Sequence, residues 1–416
     1  MKIRRLAAVL LRLELLCFLP LLMSVALAGD WPQLHGSTHD CAYAGNDVAE
    51  VWPKEGPRKV WQRAVGEGYA GPVVSGGTVV LFHRVADKET VEAMETATGK
   101  VLWTFAYSTK FADGTHIDNG PRATPTISDG RIYTLGPNGE LHCLDFKSGE
   151  KLWMRELRKD FGAEKKWHGM ACSPLIDGDA LFLNVGGTNR ASLAALNKTT
   201  GSVIWTNGRD KFSCSTPVIG TFEGQRHLLT VTRGSFRAED PETGKALFHH
   251  PFQSRDGGAV NAASPVIIGD QIFVSAGYGL GGQLLRPAAK KPEVVWSTKE
   301  MANQYATSIH WEGRLYGIHG QVESSFDLRC IDLKTGSVVW SQKNFGAANL
   351  LRIGSDLLIL TFNGELVRVP MTPQGFKPKA RAQIMPFGVR AYPALADGFL
   401  YARSTKQMVC VDLRKP

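Results

Sequence analysis

The sequence predicts an all-β chain: an eight-bladed β-propeller of four-stranded antiparallel blades, its ring closed by an N-terminal strand. Three observations carry that prediction. The first is a repeated back half. Residues 330–340 read C-I-D-L-K-T-G-S-V-V-W, a short apolar strand into Asp332, a turn at Thr335-Gly336, and a second apolar strand ending on Trp340. Asp accepts hydrogen bonds from the backbone N–H groups just after it and so starts the turn. Gly takes the positive φ that a tight hairpin loop needs, and the Trp offers a large flat surface to bury against a neighbouring unit. Asp145…Gly149…Trp153, Asn197…Gly201…Trp205 and Asp240…Gly244…Phe248 keep both spacings, Glu95…Gly99…Trp103 keeps them with Glu leading, and residues 292–296 keep the Trp strand without the Gly. A motif recurring every 42 to 52 residues marks stacked supersecondary units.

The second observation is a repeated front half: a small polar residue, then in most copies Pro, two or three apolar residues, a Gly turn and another apolar strand. Eight copies begin near Pro72, Pro125, Pro174, Pro217, Pro265, Thr307, Asn349 and Pro393. Front and back halves together give four short strands per repeat, the make-up of a propeller blade. The third observation concerns the ends. The last repeat runs M-V-C-V-D-L over 408–413 and stops without its outer Trp strand, while residues 57–61, P-R-K-V-W, are an orphan Trp strand near the start. Pairing the two closes the ring and leaves no fraying terminal blade.

Taken in order, residues 1–28 read as a secretory signal peptide, with Lys2, Arg4 and Arg5 as a basic start, an apolar run over 15–22 and Ala26-Leu27-Ala28 as a cleavage site. The run is too short to span a bilayer, so no transmembrane span is expected in the mature chain. Residues 29–57, rich in Gly, Pro and small polar residues, read as an N-terminal arm that docks through Trp31-Pro32-Gln33-x-x-Gly36. His35, His39, Asp40 and Cys41 lie close together there, but they lack the paired spacing of a zinc site and read as loop residues. Residues 58–416 are then one repeat domain. No helical period is sustained in it.

Composition excludes some functions. The formal charge of +9 falls to +6 once residues 1–28, with four basic side chains and one acidic, are set aside. No Lys/Arg stripe accompanies it, so nucleic acid is not an expected partner and the charge reads as a solubility term. Cys143, Cys330 and Cys410 occupy one repeat position, two residues before the turn Asp, and read as buried thiols standing in for a small residue. Cys172 and Cys214 precede equivalent strands in successive repeats, which leaves a cross-blade disulfide open in an oxidising compartment.

The repeats resemble the pyrroloquinoline quinone (PQQ) repeat family, through the pattern A/C-L-D-x-x-T-G-x-x-x-W quoted above, over most of the chain after Lys59. Two groups share that repeat: quinoprotein alcohol dehydrogenases, and non-catalytic propellers such as the outer-membrane assembly scaffold lipoprotein. The stretches D-W-P-Q-x-x-G from Asp30, G-P-R-A-T-P from Gly120, A-C-S-P-L-I-D from Ala171 and the segment from Asn261 to Leu285 are similar to a third group, secreted PQQ-like propellers of planctomycete bacteria. The resemblance implies the fold more than an activity.

In a propeller, the loop entering each innermost strand lines one mouth of the central channel, and sites are grafted there. Those loops carry His116, Asp118, Arg122, Trp167, His168, Asn261, Tyr305 and Arg390 as candidate ligand-binding residues, with Tyr69, Asn119, Ser173, Ser215, Gln304, Asn349 and Tyr392 nearby. Arginines pair with carboxylates, and Trp or Tyr stacks on planar groups. The plain alternative is that channel mouths are polar in every propeller, and that Arg122 is held by a neighbouring loop carboxylate. A quinoprotein dehydrogenase, as the resemblance describes it, holds PQQ under a disulfide of adjacent cysteines and over a Trp, with a Ca²⁺ bound by acidic and amide side chains and an Asp as base. This sequence has no Cys-Cys pair and few loop carboxylates, Asp118 foremost, whereas Ca²⁺ takes about six to eight oxygens. No strand–elbow–helix context for a nucleophilic hydrolase exists either. The expectation is an exported, non-catalytic scaffold in the periplasm or at the cell exterior, with no cofactor and with an unidentified protein partner or small ligand at the channel mouth. A PQQ- and Ca²⁺-dependent alcohol or sugar dehydrogenase is the alternative.

Overall fold

The computed structural model describes residues 29–164, 167–256, 259–322 and 325–415; the signal-peptide reading for 1–28 lies outside the described residues. Eight sheets follow one another around a central channel. The second shows the plan: Thr126–Ser128, Arg131–Leu135, Glu140–Asp145 and Lys151–Glu156 run antiparallel in sequence order from the channel outward. Middle strands are buried on both faces, as in Glu140–Asp145, while the outer strand alternates between half-buried and exposed, as in Val101–Ser108, because only one of its faces meets a neighbouring blade.

The recurring motif does its expected work at the seams between blades. Asp332 Oδ1 accepts from the backbone N–H groups of Lys334 and Thr335 at 2.9 and 3.0 Å, and Gly336, at φ 71°, closes the turn. The indole of the preceding blade's Trp296 lies over that glycine, so a Cβ there would stand 2.8 Å from Cε3 of the ring. The same indole donates its N–H to Leu333 O at 2.8 Å. Trp61, Trp103, Trp153, Trp205 and Trp340 donate likewise to Thr96, Phe146, Lys198, Pro241 and Thr372 carbonyls in the turn of the next blade. Asp, Gly and Trp are therefore one joint built from two blades: the turn that the Asp and Gly shape is the seat for the neighbour's Trp. A register shift next to the Trp position recurs in seven of the eight blades, as between Lys151 and Trp153. A bulge there re-aims the ring toward its seat. Directly across from Trp61, Trp153 and Trp340 stand Cys410, Cys143 and Cys330, where other blades place Ala or Leu. These thiols are buried, and burial pushes them upward, to about 12 for Cys143.

Ring closure follows the expectation. Arg58–Ala64 pairs antiparallel with Gln407–Asp412, placing Trp61 opposite Cys410, and Arg58 meets Asp412 at 2.9 Å. The arm before it, read from the sequence as a docking segment, lies at the channel, a place that its residues did not indicate. Trp31 pairs with Val74 through two 2.9 Å backbone bonds, Pro32 O accepts from Ile127, and Ala42–Tyr43 lies parallel to Ala348–Ile353. The arm thus lies against the innermost strands of blades 1, 2 and 7. Asp30 reaches the turn at Ser75-Gly76, and Tyr43 Oη accepts from Gly398 in the corresponding turn of the last blade. It closes the channel from the side of those turns, opposite the blade-connecting loops. The six described cysteines are free thiols, Cys172 and Cys214 included.

Candidate functional site

With one end of the channel closed by the arm, the other end is a blind funnel of about 480 Å³, within the range of ligand-binding pockets. Leu34 and His35 of the arm form part of its lining. His35 is buried edge-on against Tyr392, with ring centroids 4.7 Å apart. Burial holds His35 down to about 3 and His39 to about 4, so both imidazoles are neutral at physiological pH. Burial likewise pushes the Cys41 thiol up, and Asp40 is engaged by Arg352. The described residues contain no group of three or more His, Cys, Asp or Glu side chains placed to hold a metal.

Arg122, His168, Tyr305 and Arg390, four of the eight candidates, line the funnel together with Tyr69, Ser173, Gln304, Asn349 and Tyr392. The other four do not. Asn261 is buried and donates to Thr232 O at 2.9 Å. Asp118 is buried and accepts from the N–H groups of Gly68 and Gly120, a staple between two loops. His116 is exposed at φ 56°, and Trp167 stands 73 % exposed outside the lining.

The two arginines differ. Arg122 donates to the carboxylate of Asp113 and to the carbonyls of Gly120 and Asp118. Asp113 is fully buried and also takes the Thr115 N–H at 2.7 Å and faces His168 Nδ1 at 3.1 Å. Burial penalises that carboxylate, but the bonds from Thr115 and His168 and the charge of Arg122 outweigh it and hold the group below the usual carboxylate range. Asp113 is therefore ionised and saturated. Arg390 has no carboxylate and no hydrogen-bond acceptor for its guanidinium among the described residues. It lies instead over three rings, with centroids at 5.0 Å for Phe362, 5.2 Å for Tyr69 and 5.8 Å for Tyr305, inside cation–π range. Burial raises Tyr305 to about 12 and also raises Tyr69, so both phenols stay neutral. Among the described residues the formal charges lining the funnel are Asp113, Arg122 and Arg390, one net positive.

Sequence reasoning missed two sources of lining. One is the arm. The other is the set of loops joining the second and third strands of blades 5 to 7, which open on the same face and supply Tyr278, Val322, Phe326 and Phe362. Their signal is the aromatic residues Tyr278, Phe326 and Phe362, in loops within blades and not between them. Asp113 was missed because it lies nine residues before Arg122, on a loop whose return cannot be read from spacing.

Chemically, the described residues of the funnel offer one uncommitted cation, aromatic walls and a capped floor. Two nucleophile-bearing side chains of the lining are not activated: Cys214 is pushed to about 11 by burial, and Ser173 Oγ accepts from the Thr124 N–H. Nor do the described lining residues fit a hard cation, since the one carboxylate among them, Asp113, is already saturated.

Comparison with known proteins agrees with the architecture. The quinoprotein ethanol dehydrogenase of Pseudomonas aeruginosa is 29 % identical over 180 residues, which cover 40 % of this chain and 28 % of that protein. The outer membrane protein assembly factor BamB of Salmonella typhimurium is 26 % identical over 194 residues, covering 44 % and 45 % respectively. The chain thus spans less than half the length of these curated relatives. The crystal structure of BamB from Moraxella catarrhalis superposes with a TM-score of 0.61 at 14 % identity, over 85 % of this chain and 96 % of that one, a likeness of fold. Residues 87–342 match the PQQ-repeat family described as outer membrane protein assembly factor BamB, and the chain belongs to that family.

Proposed function

We propose that this chain is an exported, non-catalytic propeller that serves as a binding or protein-interaction scaffold at the cell envelope, working through the face onto which the funnel opens. The observation that carries the reading is where apolar surface is left bare. The three most exposed large apolar side chains among the described residues are Trp167 at 73 %, Phe387 at 69 % and Ile117 at 62 %. All three stand on blade-connecting loops of that one face, in three different inter-blade connections. Exposed apolar groups gathered on one surface mark an interaction site. Export rests on the basic, apolar and A-x-A sequence of residues 1–28. No helix among the described residues is long and apolar enough to cross a membrane.

The alternative, a PQQ-dependent dehydrogenase, draws support from the identity to the P. aeruginosa enzyme. The donor set does not favour it. Among the described residues a multiply charged quinone with Ca²⁺ would meet one uncommitted arginine and one carboxylate already held by Arg122, Thr115 and His168. Native mass spectrometry of the purified chain, alone and with PQQ plus Ca²⁺, and dye reduction with alcohols and sugars separate the two readings. The scaffold reading expects no retained cofactor and no substrate-dependent reduction; Ca²⁺-dependent retention with turnover would overturn it.

A further inference from the structure

We infer that the funnel receives the C-terminus of an extended polypeptide, with its free carboxylate on Arg390 and its preceding apolar residues on the rim. This deepens the scaffold reading above and rests on it.

Four features point the same way. First, Arg390 is a guanidinium set among Tyr69, Tyr305 and Phe362 with no acceptor among the described residues. Arg presents its donors in a planar fork that matches a carboxylate bidentately, and such charge-assisted bonds are stronger than neutral ones. Second, the funnel carries one net positive charge, because Asp113 cancels Arg122. That balance suits a monoanion. Third, the floor is closed. Leu34 and His35 sit in the lining, and the arm that carries them is anchored to Val74, Ile127 and Arg352 by backbone bonds of 2.8 to 2.9 Å. A loop cannot thread a closed funnel, whereas a chain end can stop in it. Fourth, the apolar surface extends beyond the cavity. Ile117 and Val322 line the mouth while remaining 62 % and 55 % exposed, Trp167 stands outside it, and Phe387 packs edge-on against Phe362 at 4.6 Å, which itself lies under Arg390. A small acid seated on Arg390 would leave this rim bare; a chain leaving the funnel would cover it.

The test uses the folded chain and fluorescein-labelled five-residue peptides ending in each apolar residue, every one made as the free acid and as the C-terminal amide. Binding is read by anisotropy. The acids are expected to bind saturably and the amides at least about tenfold more weakly, the scale of one hydrogen bond to a charged group. Arg390→Gln is expected to bring the acid down to the amide's affinity while leaving the amide unchanged, because both changes remove the same pair. Phe387→Ser is expected to weaken acid and amide alike. Should Arg390→Gln fail to fold, the acid-to-amide ratio of the unaltered chain still decides. Equal affinity for acid and amide, no saturable binding by any peptide, or benzoate binding as tightly as the peptides would overturn the inference. Those outcomes leave the scaffold reading standing if partners still cross-link to the rim, so the two can fail separately.

Discussion

Glu89 is the position at which the fold makes its most unusual electrostatic demand. It lies within Lys88–Glu95, between Arg84 on one neighbouring strand and Tyr107 on the other, and is fully buried, with neither carboxyl oxygen hydrogen-bonded. Burial first, and then the charge of Glu140, push it up to about 9 from an ordinary 4.5; Asp118 adds to that, and Arg84 and Arg122 pull the other way without prevailing. The folded protein therefore holds Glu89 protonated at neutral pH, while the unfolded chain would ionise it. The sign follows: the raised value contributes stability that is complete below about pH 4.5 and is lost as pH rises toward about 9. At pH 7 the lost part is on the order of 3 kcal/mol, from 1.36 kcal/mol per pH unit across the interval above the ordinary value. Glu89→Gln removes the titration and keeps the size of the side chain, in a pocket where Tyr107 Oη and Glu140 Oε2 also have no hydrogen-bond partner among the described residues. The variant should match the parent near pH 4.5, exceed it at pH 7 by roughly that amount, and exceed it further at pH 9. Urea midpoints at those three pH values measure this. A difference that stays constant with pH, or a variant less stable than the parent at pH 9, would refute the assignment of a buried neutral carboxyl.

Further outcomes follow from the seams and the funnel. Gly336→Ala should destabilise by about 2–5 kcal/mol, from a Cβ at positive φ together with overpacking against Trp296, read as a drop in denaturation midpoint. Trp340→Ala should cost about 3–5 kcal/mol through the cavity left between blades 6 and 7; an unchanged midpoint would mean that its ring is not packed. Arg122→Gln strips the buried Asp113 of its cation and should cost about 3–5 kcal/mol, whereas Arg390→Gln, which breaks no ion pair and gives up only its contacts with the rings of Tyr69, Tyr305 and Phe362, should cost less, about 1–2 kcal/mol.

What the sequence made legible was whatever the blades repeat. Asp332, Gly336 and Trp340 announce one turn and one packing surface, and their recurrence gives strand count, blade count and the pairing of Trp61 with the last repeat. The seating of Trp61, Trp103, Trp153, Trp205 and Trp296 on the next blade's Gly was not legible, because it joins residues some 40 positions apart, as Trp296 and Gly336 are. The funnel was half legible. Blade-connecting loops sit at equivalent repeat positions, so Arg122, His168, Tyr305 and Arg390 could be grouped; loops of irregular length hid Asp113 and Phe362, and aperiodic residues 29–57 hid the floor. Glu89 was illegible for a different reason. By alternation Glu89 shares a strand face with Val91 and Ala93, and a Glu beside Lys88 at the strand's start reads as solvated; only the packing of that face of blade 1 against blade 2 buries it.

The central claim, that the loop face is the working surface, is tested most directly by site-specific photocross-linking in cells that make the protein. Benzoylphenylalanine is placed singly at Ile117, Trp167 and Phe387 on the rim, and at Leu102, Val294 and Val339, apolar positions on outer strands that are 37 % exposed or more. Discrete cross-linked species from the rim positions, absent from the outer-strand positions and diminished by Arg390→Gln, are the predicted result. Cross-links from the outer strands with none from the rim would contradict it.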